Sequence, residues 1–470
     1  MPAPSAQSTV VVAPNAGYVI LIAAAAAMGG FLFGFDTAVI NGAVLALKQQ
    51  FNASSLGIGL SVSLALLGSA AGAFIVGPMA DRHGRIRCMV IASVLFTISG
   101  IGSGLPFTLY DFIFWRVLGG IGVGMASVIA PAYIAECSPA EMRGRLGSLQ
   151  QLAIVVGIFA ALLGNYAIAG AAGSASAPFW LGFEAWRWMF WSEVPPAVMY
   201  GIFALVIPES PRYLVAQGRH AEARVVLARM IGPHASVKVE EIAQTVRRER
   251  KPSFNDLRGR FGLLPIVWIG MGLSLFQQFV GINVIFYYSS VLWRIVGFTE
   301  ANALLITMIT GFTNIVTTLV AIAFIDRFGR KPLLLLGSIG MAITLGAMAW
   351  VFGTSPVNAE GYPVLSSNGG LVALLAANLY VFCFGFSWGP VVWVLLGEMF
   401  NNKIRASALS LGAGVQWIAN FAVSTTFPPI AFNLGLGFAY GMYAAFAALS
   451  FIFVMAFIKE TKGMELEDMQ

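Results

Sequence analysis

The sequence predicts an all-α membrane protein: twelve spanning helices in two parallel-repeated six-helix halves, joined by a linker of short helices. Three observations carry this. The 470-residue chain is 58% hydrophobic and 10% charged, whereas soluble domains carry about 25% charged residues. Apolar stretches of spanning length recur along its whole length, and short charged motifs in its first part reappear in its second. So few charges could not cover the surface of soluble domains this large.

The stretches fall at 17–43, 56–80, 88–107, 110–135, 147–169, 187–207, 262–292, 303–325, 332–353, 369–397, 406–427 and 435–458. Most reach the ~20 residues that a spanning helix needs; the Gly-rich span 88–107 is the weakest. Charge orients them. The connections after spans 2, 4, 6, 8 and 10, with the C-terminal tail, hold 23 of the 27 Lys and Arg. The opposite loops hold Lys48, Arg187 and Arg294, and Arg116 lies inside span 4. Positive loops stay inside, so a multi-pass protein of the cell (inner or plasma) membrane with both termini cytoplasmic is expected. The net charge of +6 then reports topology and needs no nucleic acid to explain it. The first sixteen residues lack the basic region of a signal peptide. Cys88, Cys137 and Cys383 show no paired spacing, and His83, His220 and His234 all fall in cytoplasmic segments. Neither a metal nor a cofactor is expected.

The repeats define the halves. "DRHGR" (81–85) follows span 2 and "DRFGR" (326–330) follows span 8, 245 residues later. Glu136 and Arg143 bracket the end of span 4 as Glu398 and Arg405 bracket the end of span 10, at an offset of 262. "PESPR" (208–212) closes span 6, and "KETKG" (459–463) closes span 12. We therefore divide the chain into an N-terminal half (1–211), a linker (212–260) and a C-terminal half (261–470). Parallel repeats about an axis along the membrane normal, with a binding site between them, are a transporter architecture. The linker holds eleven Lys/Arg and five Asp/Glu, and its "EARVVLARMI" and "VEEIAQTVRRE" read as short amphipathic helices.

Polar residues inside the spans point to the chemistry. Asp36, in "GGFLFGFDTAVINGA", sits in an apolar run, where a charge costs about 2.5–3.5 kcal/mol on insertion scales. Its candidate partners are Arg116 in span 4 and Glu193 in span 6. Making and breaking an Asp–Arg pair binds and releases a proton; a static pair would merely neutralise two charges, at little gain in stability. Amides form a second set: Gln151 in span 5, Gln277, Gln278 and Asn283 in span 7, Asn314 in span 8, Gln416 and Asn420 in span 11. Amides donate and accept, which suits the hydroxyls of a neutral polyol. They also tie helices together at about 0.6 kcal/mol each, a reading equally open for Asn420. On a straight helix Gln278 and Asn283 point about 140° apart. Gly281 between them can break the helix and turn both to one side. Trp393 and Trp417 offer flat faces for a sugar ring, or apolar core and interfacial anchors.

"GFDTAVINGA", "DRHGR", "PAYIAECSPAEMRGRLGSLQQ", "PESPRYL", "FQQFVGINVIFYYS", "DRFGRKPLL", "WGPVVWVLLGEMF" and "QWIAN" together resemble the sugar porters of the major facilitator superfamily, in particular the bacterial xylose/proton and glucose/proton symporters. The match runs nearly end to end. One departure is Lys459, where the family has Pro before Glu. The resemblance implies the major facilitator fold and sugar contacts from Gln151, Gln277, Gln278, Asn283, Asn314, Trp393 and Gln416. Phe33, Tyr287 and Trp417 match aromatic positions that line the same pocket. Ile158 stands where the xylose symporter has a second glutamine, as in glucose transporters, which favours a hexose such as D-glucose over xylose. Asp36, Arg116 and Glu193 match positions linked to proton coupling; passive facilitators carry Asn, and in some bacterial cases Asp, at the first. The helix-end charges Asp81, Arg85, Glu136, Arg143, Glu209 and Arg212, with Asp326, Arg330, Glu398, Arg405 and Glu460, read as a cytoplasmic gate that latches the outward-open state. They also serve as topology signals and helix caps.

Proton-coupled sugar symport by alternating access is thus expected, with passive facilitation of glucose as the alternative. The expected partners are a monosaccharide, a proton and the lipid bilayer, with the chain a monomer. A sugar receptor on this fold would carry a long cytoplasmic tail, whereas about twelve residues follow span 12. No nucleophile–base pair or metal-ligand cluster stands at membrane depth, so an enzyme is not expected.

Overall fold

The structure is a computed structural model that describes residues 15–139, 142–248, 254–260, 262–358, 363–400 and 404–460. Its helices are α1 (Ala16–Gln50), α2 (Ser55–His83), α3 (Arg85–Gly104), α4 (Leu109–Cys137), α5 (Arg143–Ala172), α6 (Ala185–Trp191) and α7 (Val194–Val206). The linker carries α8 (Pro211–Ala216), α9 (His220–Ile231) and α10 (Ala235–Arg248). There follow α11 (Pro265–Phe279), α12 (Ile282–Ile295), α13 (Glu300–Phe328), α14 (Arg330–Thr354), α15 (Ser367–Phe386), α16 (Trp388–Met399), α17 (Arg405–Asn433) and α18 (Leu436–Phe457).

Three expected spans are each built from two helices. In the sixth, α6 and α7 part at Ser192–Glu193, where Pro195 and Pro196 cannot donate to the preceding turn. In the seventh, α11 and α12 part at Gly281, whose φ of +82° and ψ of 20° are left-handed. In the tenth, α15 and α16 part at Ser387. Counting each pair as one, eleven spans are long and apolar enough to cross a bilayer among the described residues. The eleventh expected span, α17, is long enough but diluted by Gln416, Asn420, Ser424, Thr425 and Thr426. Its polarity marks it as a helix that faces something other than lipid.

Helix ends repeat between the halves. Gly84 (φ +93°) and Gly329 (φ +86°) end α2 and α13 and turn the chain straight into α3 and α14. At the other end of the bundle, Ser54, Thr108, Thr299 and Ser366 cap α2, α4, α13 and α15 by accepting from the backbone N–H three residues on. The linker helices share a small core of Tyr213, Leu214, Leu227, Val239 and Ala243. Met230 and Ile231 of α9 pack into the N-terminal helices, and the Asn15 N–H donates to the Met230 carbonyl at 2.9 Å. Beyond the linker helices, Arg258–Gly259 pair with Gly262–Leu263 as a short antiparallel ladder.

Glycines let helices approach closely. A Cβ on Gly34 would fall 1.9 Å from the Ile154 carbonyl, and one on Gly157 would fall 2.0 Å from that of Phe31, so α1 and α5 touch backbone to backbone. Between the first six spans and the last six, contacts run along α1/α12, α2/α17 and α5/α13. Their described hydrogen bonds lie in the part of the bundle remote from the linker. The Asn41 Nδ2 donates to the Phe286 carbonyl (2.8 Å) and to Ser289 Oγ (3.1 Å), and Ser290 Oγ donates to the Asn41 carbonyl (2.5 Å). Thr425 Oγ1 meets Ser63 Oγ at 2.6 Å, and the Ala175 N–H donates to Glu300 Oε1 at 2.6 Å. The bundle is closed there.

Candidate functional site

The break at Gly281 changes what span 7 can present. Gln278 ends α11 and Asn283 begins α12, and Asn283 Nδ2 donates to Gln278 Oε1 at 2.6 Å. Two amides that a straight helix would point apart therefore share one side. The carbonyl of Val280, freed at the break, accepts from Tyr380 Oη at 2.7 Å. The ring of Tyr443 packs so close to Gly281 that an added Cβ would fall 2.8 Å from it. Both Tyr380 and Tyr443 are buried; sequence reasoning did not find them, because a buried aromatic carries no periodic signal of its own.

Gln277 plays a different part. Its Nε2 donates to the carbonyls of Trp388 (2.8 Å) and Gly389 (3.1 Å), joining the break of span 7 to that of span 10. Its Oε1 accepts from Gln416 Nε2, and the Gln416 Oε1 has no partner in the protein. Asn420 Nδ2 lies 3.4 Å from Tyr287 Oη, and its Oδ1 accepts from Ser424 at 3.1 Å. Phe33 and Trp417 meet across the two sets of six spans with ring centroids 5.8 Å apart. Asn314 is buried on α13, with its Oδ1 3.7 Å from where a Cβ on Gly385 would be. Gln151 is half-buried on α5, and Trp393 on α16 is 44% exposed. No described bond brings Gln151, Asn314 or Trp393 to the span 7 amides. The neighbouring Gln150, passed over in the sequence, is buried against Gly30 with both amide atoms unpartnered.

Asp36 and Arg116 form a closed pair. Arg116 Nη1 donates to Asp36 Oδ1 at 2.6 Å, and Nη2 donates to Oδ2 (3.3 Å) and to the Asp36 carbonyl (2.8 Å). Their exposures are 1% and 2%. Gly119 leaves room for the carboxylate: a Cβ there would fall 3.1 Å from Asp36 Oδ1. The Arg116 guanidinium also lies 5.7 Å from the centre of the Phe190 ring. Glu193 is fully buried beside them, in the field of both charges; its carboxyl meets that of Asp36, and neither of its oxygens accepts from a protein N–H or O–H. The reason is local. Glu193 occupies the N-cap of α7, where a carboxylate normally accepts from the first backbone N–H groups, but Pro195 and Pro196 supply none.

The helix-end charges pair identically in both sets of six spans. Arg85 donates to Glu136 from Nε (3.0 Å) and Nη2 (2.8 Å); Arg330 donates to Glu398 from Nε (3.1 Å) and Nη2 (2.8 Å). Glu209 accepts from the Arg85 and Ile86 N–H groups, and Glu460 from those of Arg330 and Lys331, so each acid caps the helix after the glycine turn. Asp81 lies 3.3 Å from Arg85, and Ser210 Oγ donates to Glu136 at 2.5 Å. All these pairs join elements of one set. Arg212 is half-buried in α8; the side chains of Arg143, Asp326 and Arg405 lie outside the described residues.

The sugar (and other) transporter family model matches residues 22–470. The glucose transport protein of Synechocystis sp. is 68% identical over 457 residues, covering 97% of each chain. The D-xylose-proton symporter of Escherichia coli is 40% identical over 489 residues, covering 97% of this chain and 96% of that one. Among solved structures, the inward-open xylose transporter XylE from E. coli superposes with a TM-score of 0.82 at 38% identity, covering 96% of this chain and 99% of that one. A membrane bundle of paired six-helix repeats, with amides at a broken helix and a buried carboxyl–guanidinium group, is a transporter of the major facilitator class. The chain belongs to the sugar (and other) transporter family. It is a multi-span sugar transporter, and an enzymatic role is set aside.

Proposed function

We propose that the protein carries a hexose, D-glucose in the first place, together with a proton into the cytoplasm by alternating access. In this reading the linker end faces the cytoplasm of a bacterial-type plasma membrane, both termini lie on that side, and a single chain does the work. The sugar binds between the halves (1–211 and 261–470), held by Gln278, Asn283, Gln416, Asn314 and Gln151 against Phe33, Tyr287, Trp393 and Trp417. Gln277 holds two helix breaks in register. The name of the Synechocystis relative supports glucose, as does the apolar Ile158 on α5.

One observation carries the coupling: two carboxyls, Asp36 and Glu193, share a buried site with one guanidinium. One positive charge neutralises one carboxylate, so neutrality of the trio takes one proton. The E. coli relative is named a proton symporter, which agrees. When the pair opens as the halves rock, Asp36 exchanges its partner for a proton. The Arg85–Glu136 and Arg330–Glu398 clusters would then latch the linker end in the opposite, outward-open state through new pairings across the halves.

A second reading has its own support. Asp36 and Arg116 are joined by three hydrogen bonds, and a pair that never opens would leave a passive facilitator. Uptake of D-glucose into proteoliposomes with and without an imposed pH gradient separates them. Accumulation above equilibrium that follows the gradient is expected; uptake that only equilibrates would establish the facilitator.

A further inference from the structure

The proton and the sugar need not enter by one path. At the end remote from the linker the seam between the two sets of six spans is shut by Asn41, Ser289 and Ser290, all buried. Yet Glu193 lies close to that end within the first six spans. Gly100 of α3 packs against it, with a Cβ there 3.8 Å from the Glu193 Cβ. Four residues on, about 6 Å along the helix, the Gly104 carbonyl accepts from Arg187 Nη1 at 3.0 Å. Arg187 is itself bound to Glu184 at 2.5 Å, and the Glu184 side chain is 30% exposed. Between these points stands Ser103. It is fully buried, and its Oγ has no partner in the protein. Ser103 is one turn beyond Ser99, on the same face of α3; Ser99 Oγ donates to the Trp115 carbonyl at 2.9 Å and abuts the Gly119 gap beside Asp36.

Ser103 Oγ on α3 and Arg116 Nε on α4 thus have no partner in the protein, and at the α6–α7 break the Glu193 oxygens accept from no protein donor. Buried polar atoms without protein partners are met by water. We propose that this region is a water-filled proton route inside the N-terminal half. It runs from the Glu184–Arg187 mouth along α3 past Ser103 to Glu193 and Asp36, apart from the sugar path. The charged groups facing it are Asp36 from α1, Arg116 from α4, Glu193 from the break, and Glu184 and Arg187 at its mouth. Asp111 in the first turn of α4 accepts from the Phe107 N–H at 3.0 Å instead. Along the route a proton reaches Ser103 Oγ from one water as the hydroxyl hydrogen passes to the next acceptor. Ser103 ends with one hydrogen, as it began, and the net proton is left on a Glu193 oxygen.

The route rests on the proton-coupling reading, and one set of assays separates the two. Proteoliposomes bearing wild type, Ser103→Val and Ser103→Thr are assayed for glucose-driven proton flux and for glucose–glucose counterflow. Valine fills the position and removes the hydroxyl; threonine keeps it. Ser103→Val should slow glucose-driven proton flux by roughly tenfold or more while counterflow persists, and Ser103→Thr should restore it. Wild-type proton flux in Ser103→Val, or equal loss of flux and counterflow, would overturn the route and leave coupling standing. Absence of glucose-driven proton flux in the wild type would overturn coupling, and the route with it.

Discussion

The first and last six spans agree at their linker ends and differ in their interiors. At the linker end, Arg85–Glu136 with the Glu209 cap and Arg330–Glu398 with the Glu460 cap have matching bond lengths and matching glycine turns. Inside, the first holds Asp36, Arg116 and Glu193, while the second holds amides. A step of 262 residues, the separation of Glu136 from Glu398, carries Arg116 to Asn378, and the 251-residue step from Glu209 to Glu460 carries Glu193 to Ala444. Asn378 accepts from Thr310 and Thr313 at 3.3 Å and donates to the Leu374 carbonyl at 3.0 Å: a neutral, locally satisfied group where the first set has a guanidinium. Duplication has kept what any such bundle needs at its helix ends. It has let the interiors part, one toward charge and one toward amides.

Arg116→Ala leaves Asp36 buried beside Glu193 with no cation, and removing one member of a buried pair costs about 3–5 kcal/mol. A large fall in melting temperature in detergent is expected, and an unchanged one would mean that the Asp36–Arg116 pair does not hold the fold. In the other half, Gln278→Ala and Asn283→Ala each break the amide pair at the helix break, which the proposed function places against the sugar hydroxyls. Each should weaken glucose binding at least about tenfold in a calorimetric titration. Wild-type isotherms for both would remove span 7 from the sugar site.

Smaller effects sharpen the contrast between the two ends. Asn41→Val removes the hydrogen bonds that shut the end remote from the linker, so cysteines placed at that end should label faster. Glu398→Ala should act in the opposite sense, shifting the population toward inward-open and slowing the same labelling. Each loses bonds that contribute about 1–2 kcal/mol net, enough for a shift of roughly five- to thirtyfold in a two-state population. Equal labelling in both variants would reduce these residues to helix anchors.

Much of this was legible beforehand because it is written in local chemistry. The twelve spans follow from apolar runs, the two halves from repeated charged motifs, and the break in span 7 from Gly281. The sequence left Asp36 two candidate partners, Arg116 and Glu193, and the structure pairs it with Arg116. The break in span 6 was overlooked although Pro195 and Pro196 announce it. The low hydropathy of α17 was legible in its own polar residues and was passed over, whereas the split at Ser387 depends on which faces meet, which no single span reveals. Asn41, Gln150 and Ser103 went unnoticed for the same reason. A short polar side chain in a glycine-rich helix carries no signal until its neighbour across the interface is known.

The account rests on Asp36 exchanging a guanidinium for a proton, and Asp36→Asn tests it most directly. Asparagine keeps the shape of the protonated acid and cannot release a proton. Accumulation and counterflow of glucose are measured side by side in proteoliposomes under an imposed pH gradient. We predict that wild type accumulates glucose, and that Asp36→Asn sustains counterflow while failing to accumulate it at any gradient. Accumulation by the variant at the wild-type level would contradict the account and leave Asp36 a structural partner of Arg116.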